Sequence, residues 1–160
     1  MFWNRKHRVQ ADELAGSLFD EFVQRPIEWD MDLQIDTSIT SAIGQKVRLY
    51  QFASVMLAVL DAERSNAAFS PVRDGLEQRF FQPTFSDGLE QLDEVKRAME
   101  DLSELIQPDG QSRPMSWAMR WLNDAGIQQE NPANLMMFVL RWPSFFATVV
   151  KALRVFEPVT

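Results

Sequence analysis

Residues 52–60 read FASVMLAVL, and Ser54 is the single polar side chain among them. A helix that is apolar around its whole circumference has to be buried, either inside a protein or in a membrane. A membrane span needs about 20 apolar residues in a row, so this stretch is too short for one. We therefore predict that it forms the second half of a long central helix, about residues 40–64, around which the other helices pack. The first half carries more polar side chains and should be only partly covered: Gln45, Lys46, Arg48 and Gln51.

The composition is that of an ordinary globular domain. The 160 residues are 46% hydrophobic and 24% charged, which is close to the average for soluble proteins and sufficient for one core without disulfides. Since there is no cysteine, thiolate catalysis and cysteine metal sites are excluded. The first residues lack the apolar segment of about 7 to 15 residues that marks a secretory signal. We expect a single cytoplasmic helical domain, residues 11–160, preceded by a short arm, residues 1–10.

The net charge of −7 argues against nucleic acid as a partner, because lysine and arginine dominate the affinity for phosphate backbones. The charge is unevenly distributed along the chain. Arg5, Lys6 and Arg8 are three of the 16 basic residues, which leaves 13 basic against 23 acidic residues in the rest. A basic arm thus precedes an acidic domain.

Apolar periodicity and helix-capping signals predict an all-α domain, a single bundle of about six or seven helices. Besides the central helix, the pattern indicates helices at about 11–25, 70–81 and 86–107, another between Pro114 and Gly126, and a last helical region at about 132–156. Pro143 lies inside that last region. It should kink the helix or split it in two, because proline lacks an N–H and clashes with the preceding turn.

One segment, residues 27–36, does not follow a helical period. Its apolar residues alternate strictly with polar ones, which is the period of a strand: Ile27, Trp29, Met31, Leu33 and Ile35. A strand needs a partner, and the sequence contains no second alternating run. The segment is therefore either an extended connector that lies across the helices or a strand that pairs with its own copy in a homodimer.

The residues of the common catalytic sites are missing from the sequence. His7 is the only histidine, which excludes histidine-based zinc and di-iron sites. The six glycines are spread singly along the chain, so the glycine-rich loops that bind dinucleotides and phosphates are excluded as well. We expect no cofactor, and the balance favours a protein that is not an enzyme.

Two alternatives remain open, a helical bundle that binds a small molecule and a magnesium-dependent hydrolase of phosphate esters or pyrophosphates. Magnesium is held by few protein carboxylates, with water and phosphate completing its shell. The candidate carboxylates belong to the predicted helix at 86–107: Glu90, Asp93, Glu94, Glu100, Asp101 and Glu104. Because they lie on one helix rather than on two facing helices, a solvated acidic face is the simpler interpretation.

The tryptophans form one candidate interaction site. Trp117 and Trp121 are one helical turn apart, and Trp142 follows in the last helix. Together with Arg120 and Arg141 they have the composition of an interface hot spot, where tryptophan and arginine are enriched. Large aromatics at this spacing also fill ordinary helix seams, and a core role is the interpretation we favour.

The arm is the second candidate interaction site. Phe2 and Trp3 are typical of a membrane interface, while Arg5, Lys6 and Arg8 attract an anionic surface. We predict weak docking on a membrane surface or on an acidic partner, unless Phe2 and Trp3 fold back into the bundle. The sequence as a whole favours a non-catalytic interaction module, an adaptor or accessory subunit whose protein partner and process are unknown.

Overall fold

The computed structural model of the chain describes residues 6–25, 42–81, 88–106, 114–124 and 132–160. Within these ranges the protein is almost entirely helical, which confirms the all-α prediction. The described ranges contain six α-helices: α1 (Ala11–Phe19), α2 (Ala42–Ser65), α3 (Ser70–Phe80), α4 (Gly88–Ile106), α5 (Pro114–Asp124) and α6 (Pro132–Leu153). The shorter elements are a π-helix (Asp20–Gln24), a 3₁₀ helix (Ala67–Phe69) and the strands β1 (His7–Gln10) and β2 (Phe156–Val159).

Helix α2 is the centre of the fold, as predicted. Its 24 residues make it about 36 Å long, and it packs against α3, α4, α6, the π-helix and the 3₁₀ helix. Seven of the nine residues in the apolar stretch 52–60 are buried, and Leu57 and Leu60 are partly buried. The exposure of the polar side chains in the first half of α2 is more varied than predicted, because Gln45 is exposed whereas Gln51 is buried.

Two hydrophobic clusters lie on opposite sides of α2, which explains why its apolar residues surround the axis. Phe52, Val55 and Val59 belong to the first cluster, together with residues of α1, α3 and the end of α6. Tyr50 and Ala53 belong to the second, which α4, α5 and the middle of α6 complete. At about 100° per residue these two sets point in opposite directions. One helix therefore supplies both cores.

Helix α6 continues through Pro143 from Pro132 to Leu153, so the proline does not split it. Trp142 and Val149 are buried on either side of the proline, and this packing holds the two turns together although one backbone hydrogen bond is lost. The helix ends at Leu153, three residues short of the end at Phe156 that the sequence pattern predicts. Phe156 instead begins β2.

The strands β1 and β2 pair in parallel, with His7 opposite Phe156 and Gln10 opposite Val159. The sequence did not predict this pair, since each strand has only four residues and neither shows a sustained alternation. Residues 7–10 of the predicted arm thus belong to the folded body. Residues 1–5 lie outside the described residues, and so does the alternating segment 27–36.

Helices α1 and α3 cross at close range. A Cβ atom added to Gly75 would lie 2.9 Å from the Cβ of Ala15, closer than two carbon atoms can approach, so only glycine allows this packing. Arg79 fastens the crossing, because its Nη1 lies 2.9 Å from Asp12 Oδ1 and its Nη2 donates to the Asp12 carbonyl oxygen at 3.2 Å. The hydrogen bond and the positive charge of Arg79 hold the pKa of the Asp12 carboxyl below its usual value.

This lowered pKa predicts how the α1–α3 contact responds to pH. A carboxylate whose folded pKa is depressed stabilises the fold above its unfolded pKa of about 3.9, and the contribution is lost as the pH falls through the folded value. In thermal unfolding, Asp12→Asn should melt below the wild type at pH 6, and the difference should shrink below about pH 4. Glu13→Gln is the matched control, since Glu13 is an acid in the same first turn without an ion pair among the described residues. A difference for Asp12→Asn that stays constant down to pH 3 would contradict the prediction.

Candidate functional site

The three predicted tryptophans pack around one tyrosine. Tyr50 on α2 has ring centroids of Trp117, Trp121 and Trp142 at 6.1, 5.7 and 5.6 Å. The indoles are buried, with exposed fractions of 5, 3 and 0%. The phenol ring fills the space between the indoles, and all four side chains of this aromatic cluster belong to the second hydrophobic cluster.

The edge of the aromatic cluster is polar. The Tyr50 hydroxyl donates a hydrogen bond of 2.9 Å to Asp101 Oδ2, and Arg120 Nη2 lies 3.7 Å from the other oxygen of that carboxylate. Lys46 Nζ lies 5.2 Å from the ring centroid of Trp121, a cation–π distance. Arg120 is exposed and Arg141 is half-buried. Of the predicted tryptophan site, Arg120 is therefore the residue that presents most of its side chain to solvent.

The candidate magnesium carboxylates do not converge within the described residues. Asp101 is bound to Tyr50, while Asp93, Glu94, Glu100 and Glu104 are exposed on α4. No group of three or more acidic or histidine side chains among the described residues is arranged to hold a metal ion. The side chain of Glu90 lies outside the described residues. The solvated acidic face is thus the interpretation that fits the described part of α4.

Of the predicted arm site, Lys6 and Arg8 lie within the described residues, whereas Phe2, Trp3 and Arg5 lie outside them. Arg8 is in β1, and its side chain is 77% exposed, with Nε 3.8 Å from Glu157 Oε2 on β2. At this distance and exposure the ion pair is weak. On the opposite face of β1, the His7 ring lies 6.4 Å from that of Phe156, and Val9 packs against the first hydrophobic cluster. None of the helices in the described ranges is long and apolar enough to cross a bilayer.

The register of the strand pair fixes the direction of each backbone group. His7 N–H donates to the Val155 carbonyl at 2.8 Å, and alternate residues of a parallel strand face the same neighbour. His7 and Val9 therefore face β2, and the N–H groups of Arg8 and Gln10 point to the outer edge of β1. The described part of the chain contains no third strand on that edge.

A cleft of about 320 Å³ begins beside Lys6, at the entrance to β1. Its apolar wall is formed by Ala58, Ala62, Phe69, Val150 and Leu153, and its polar residues are Lys6, Asp61, Ser65, Asn66 and Arg154. Lys6 and Arg154 are exposed cations that form no ion pair within the described ranges. The fold thus extends the predicted basic arm with Arg154, which the sequence did not place there because it lies at the other end of the chain.

Comparisons with protein-family models, with curated protein sequences and with solved structures found no match for this chain. Its function has to be argued from the geometry of its own surface.

Proposed function

We propose that this protein is a non-catalytic interaction module that contacts a protein partner through its basic edge, which we define as Lys6, Arg8 and Arg154 together with the outer edge of β1. The observation that carries the proposal is a strand edge with outward backbone N–H groups and exposed cations. An uncovered strand edge is a template for pairing with another chain, and the cations along this one favour an acidic chain over a neutral or basic one.

The charge distribution supports the same proposal. The basic edge belongs to a chain whose net charge is −7, so the overall charge repels an approaching acidic partner whereas the exposed cations of the edge attract it locally. Such complementarity fixes the orientation of a complex and raises its association rate more than it raises affinity. The binding should therefore weaken as salt is added, since screening acts within about 10 Å at 0.1 M salt.

Charge reversal at the basic edge tests the proposal. Lys6→Glu with Arg8→Glu should reduce capture of the partner from the source cell about tenfold or more, because two attractions of about 0.5 to 1 kcal/mol become repulsions. Both side chains are exposed, so the melting temperature should change little. Point substitutions are preferable to deletion of residues 1–8, which would also remove half of β1.

Lys96→Glu with Arg97→Glu is the matched control, since it makes the same change of charge at two exposed positions of α4. The control variant should capture the partner as well as the wild type does. Equal capture by wild type and by the basic-edge variant would refute the proposal.

A second candidate function is the binding of a small anionic ligand in the cleft beside Lys6. The cleft volume of about 320 Å³ is at the lower end of the range of ligand pockets, and its mixture of apolar wall and few polar groups is typical of them. A thermal-shift screen with nucleotides and divalent ions separates the two functions. A ligand at 100 times its dissociation constant stabilises the fold by about 2.7 kcal/mol, and an Arg154→Glu variant should lose that shift if the cleft is the site.

A further inference from the structure

The outer edge of β1 offers a short ladder of backbone hydrogen-bonding groups. The Arg8 N–H and C=O and the Gln10 N–H point away from β2, as the bond from His7 N–H to Val155 requires. The register leaves these groups without a partner in β2, and both residues are exposed. Backbone groups in this arrangement are what an extended peptide needs in order to add to a sheet as a new strand.

The other side of the two-stranded sheet cannot serve the same purpose. Phe156 and Pro158 are the residues of β2 whose backbones point away from β1, and Pro158 has no N–H to donate. Pro158 is also buried, and β2 packs against the 3₁₀ helix. Within the described residues the sheet is therefore closed at β2 and open at β1.

The two faces of β1 determine which side chains an added strand should carry. Arg8 and Gln10 lie on a face that is exposed to solvent, whereas Val9 on the other face packs against the first hydrophobic cluster. His7 shares the face of Val9 but is itself exposed. Directly opposed opposite charges stabilise a pair of strands, and so do apolar side chains that share a face. An added strand should thus alternate acidic residues on the outer face with apolar residues on the inner face.

We propose that the outer edge of β1 docks an extended segment of a partner protein in which acidic and apolar residues alternate, and that the segment adds to β1 as a third strand. This inference rests on the proposed function and names the chemistry of the partner. A second copy of β1 would fit this edge poorly. Antiparallel pairing about a two-fold axis would bring Lys6 and Arg8 of one copy close to Lys6 and Arg8 of the other, and like charges repel. Residues 27–36 of a second copy have the right alternation, and the experiment separates them from a different protein.

Amide hydrogen exchange of the intact isotope-labelled protein tests strand addition directly. The probe is an acetylated and amidated seven-residue peptide of alternating valine and glutamate. At saturation it should slow exchange at the Arg8 and Gln10 amides about tenfold or more, while the His7 and Val9 amides, already bonded to β2, should change little. The same peptide with lysine in place of glutamate should give no protection, and neither should the glutamate peptide methylated at alternate amide nitrogens.

Two protein variants separate the contribution of the outward backbone N–H to peptide binding from the contribution of the charge. Arg8→Gln keeps the outward N–H and removes the charge, whereas Arg8→Pro removes both and leaves every bond to β2 possible. Arg8→Pro should lose at least several-fold more affinity for the glutamate peptide than Arg8→Gln. Exchange at the His7 amide reports whether the strand pair survives in each variant, and Gln10→Pro provides a second test at the other outward N–H.

The inference is overturned if millimolar glutamate peptide leaves the Arg8 and Gln10 amides unprotected, or if the methylated peptide binds as well. It is also overturned if both amides are protected in the protein alone, since its own chain then covers the edge; sedimentation shows whether that cover is a second copy. The proposed function fails separately, when charge reversal at Lys6 and Arg8 leaves capture of the partner unchanged. Lost capture without any response of the amides would refute strand addition alone.

Discussion

Replacing Trp142 by alanine should lower the free energy of unfolding by about 3 to 5 kcal/mol, the range for deletion of a fully buried aromatic side chain. Trp142 has no exposed surface, and its ring lies 5.6 Å from Tyr50, 6.5 Å from Trp121 and 6.3 Å from Phe145. Each such aromatic pair adds about 0.5 to 1.5 kcal/mol beyond the area it buries. Urea denaturation of wild type and variant measures the difference.

Two further variants define what Trp142 does. Trp142→Phe retains much of the volume and should lose less stability than Trp142→Ala. Arg120→Ala removes an exposed side chain of the same predicted site and should change stability by less than about 0.5 kcal/mol, as surface substitutions usually do. If Trp142→Ala were as stable as wild type but no longer captured the partner, the aromatic cluster would be an interaction site and the core assignment would be wrong.

The central helix could be predicted from sequence because its signal is local. Nine residues with one polar side chain are sufficient to require burial on all sides, and the structure supplies a separate cluster on each side. The effect of Pro143 on the last helix could not be predicted from the local sequence. Whether the helix kinks, splits or continues depends on packing at Trp142 and Val149, and Trp142 packs against Tyr50 of α2 and Trp121 of α5, which are distant in sequence.

The strand pair could not be predicted, since β1 and β2 lie at opposite ends of the chain and each is too short to show a period. The basic edge was therefore predicted only in part. Lys6 and Arg8 were found from the uneven charge, whereas Arg154 became part of the edge through the pairing of the two ends. The outward direction of the Arg8 and Gln10 amides follows from the register, which side-chain composition does not reveal.

Gln51 shows how a single buried polar residue can differ from its polar neighbours on the same helix. Its side chain is only 2% exposed, and its Nε2 donates to the carbonyl oxygens of Phe22 at 3.1 Å and Arg25 at 2.7 Å. These carbonyls belong to the π-helix and to the residue that follows it. Carbonyls at the end of a helix have no partner within the helix, so the Gln51 amide joins the end of the first helical segment to the centre of the fold.

Gln51→Met should lower the free energy of unfolding by about 2 kcal/mol, because a side chain of similar size remains while two carbonyls lose their donor. The loss should be partly local, with faster amide exchange in Asp20–Gln24 than in α1. Gln45→Met is the matched control, since Gln45 is exposed on the same helix and should tolerate the change within about 0.5 kcal/mol. Equal stability of the two variants would show that water replaces the Gln51 amide at both carbonyls, and the π-helix would then be held in place by packing alone.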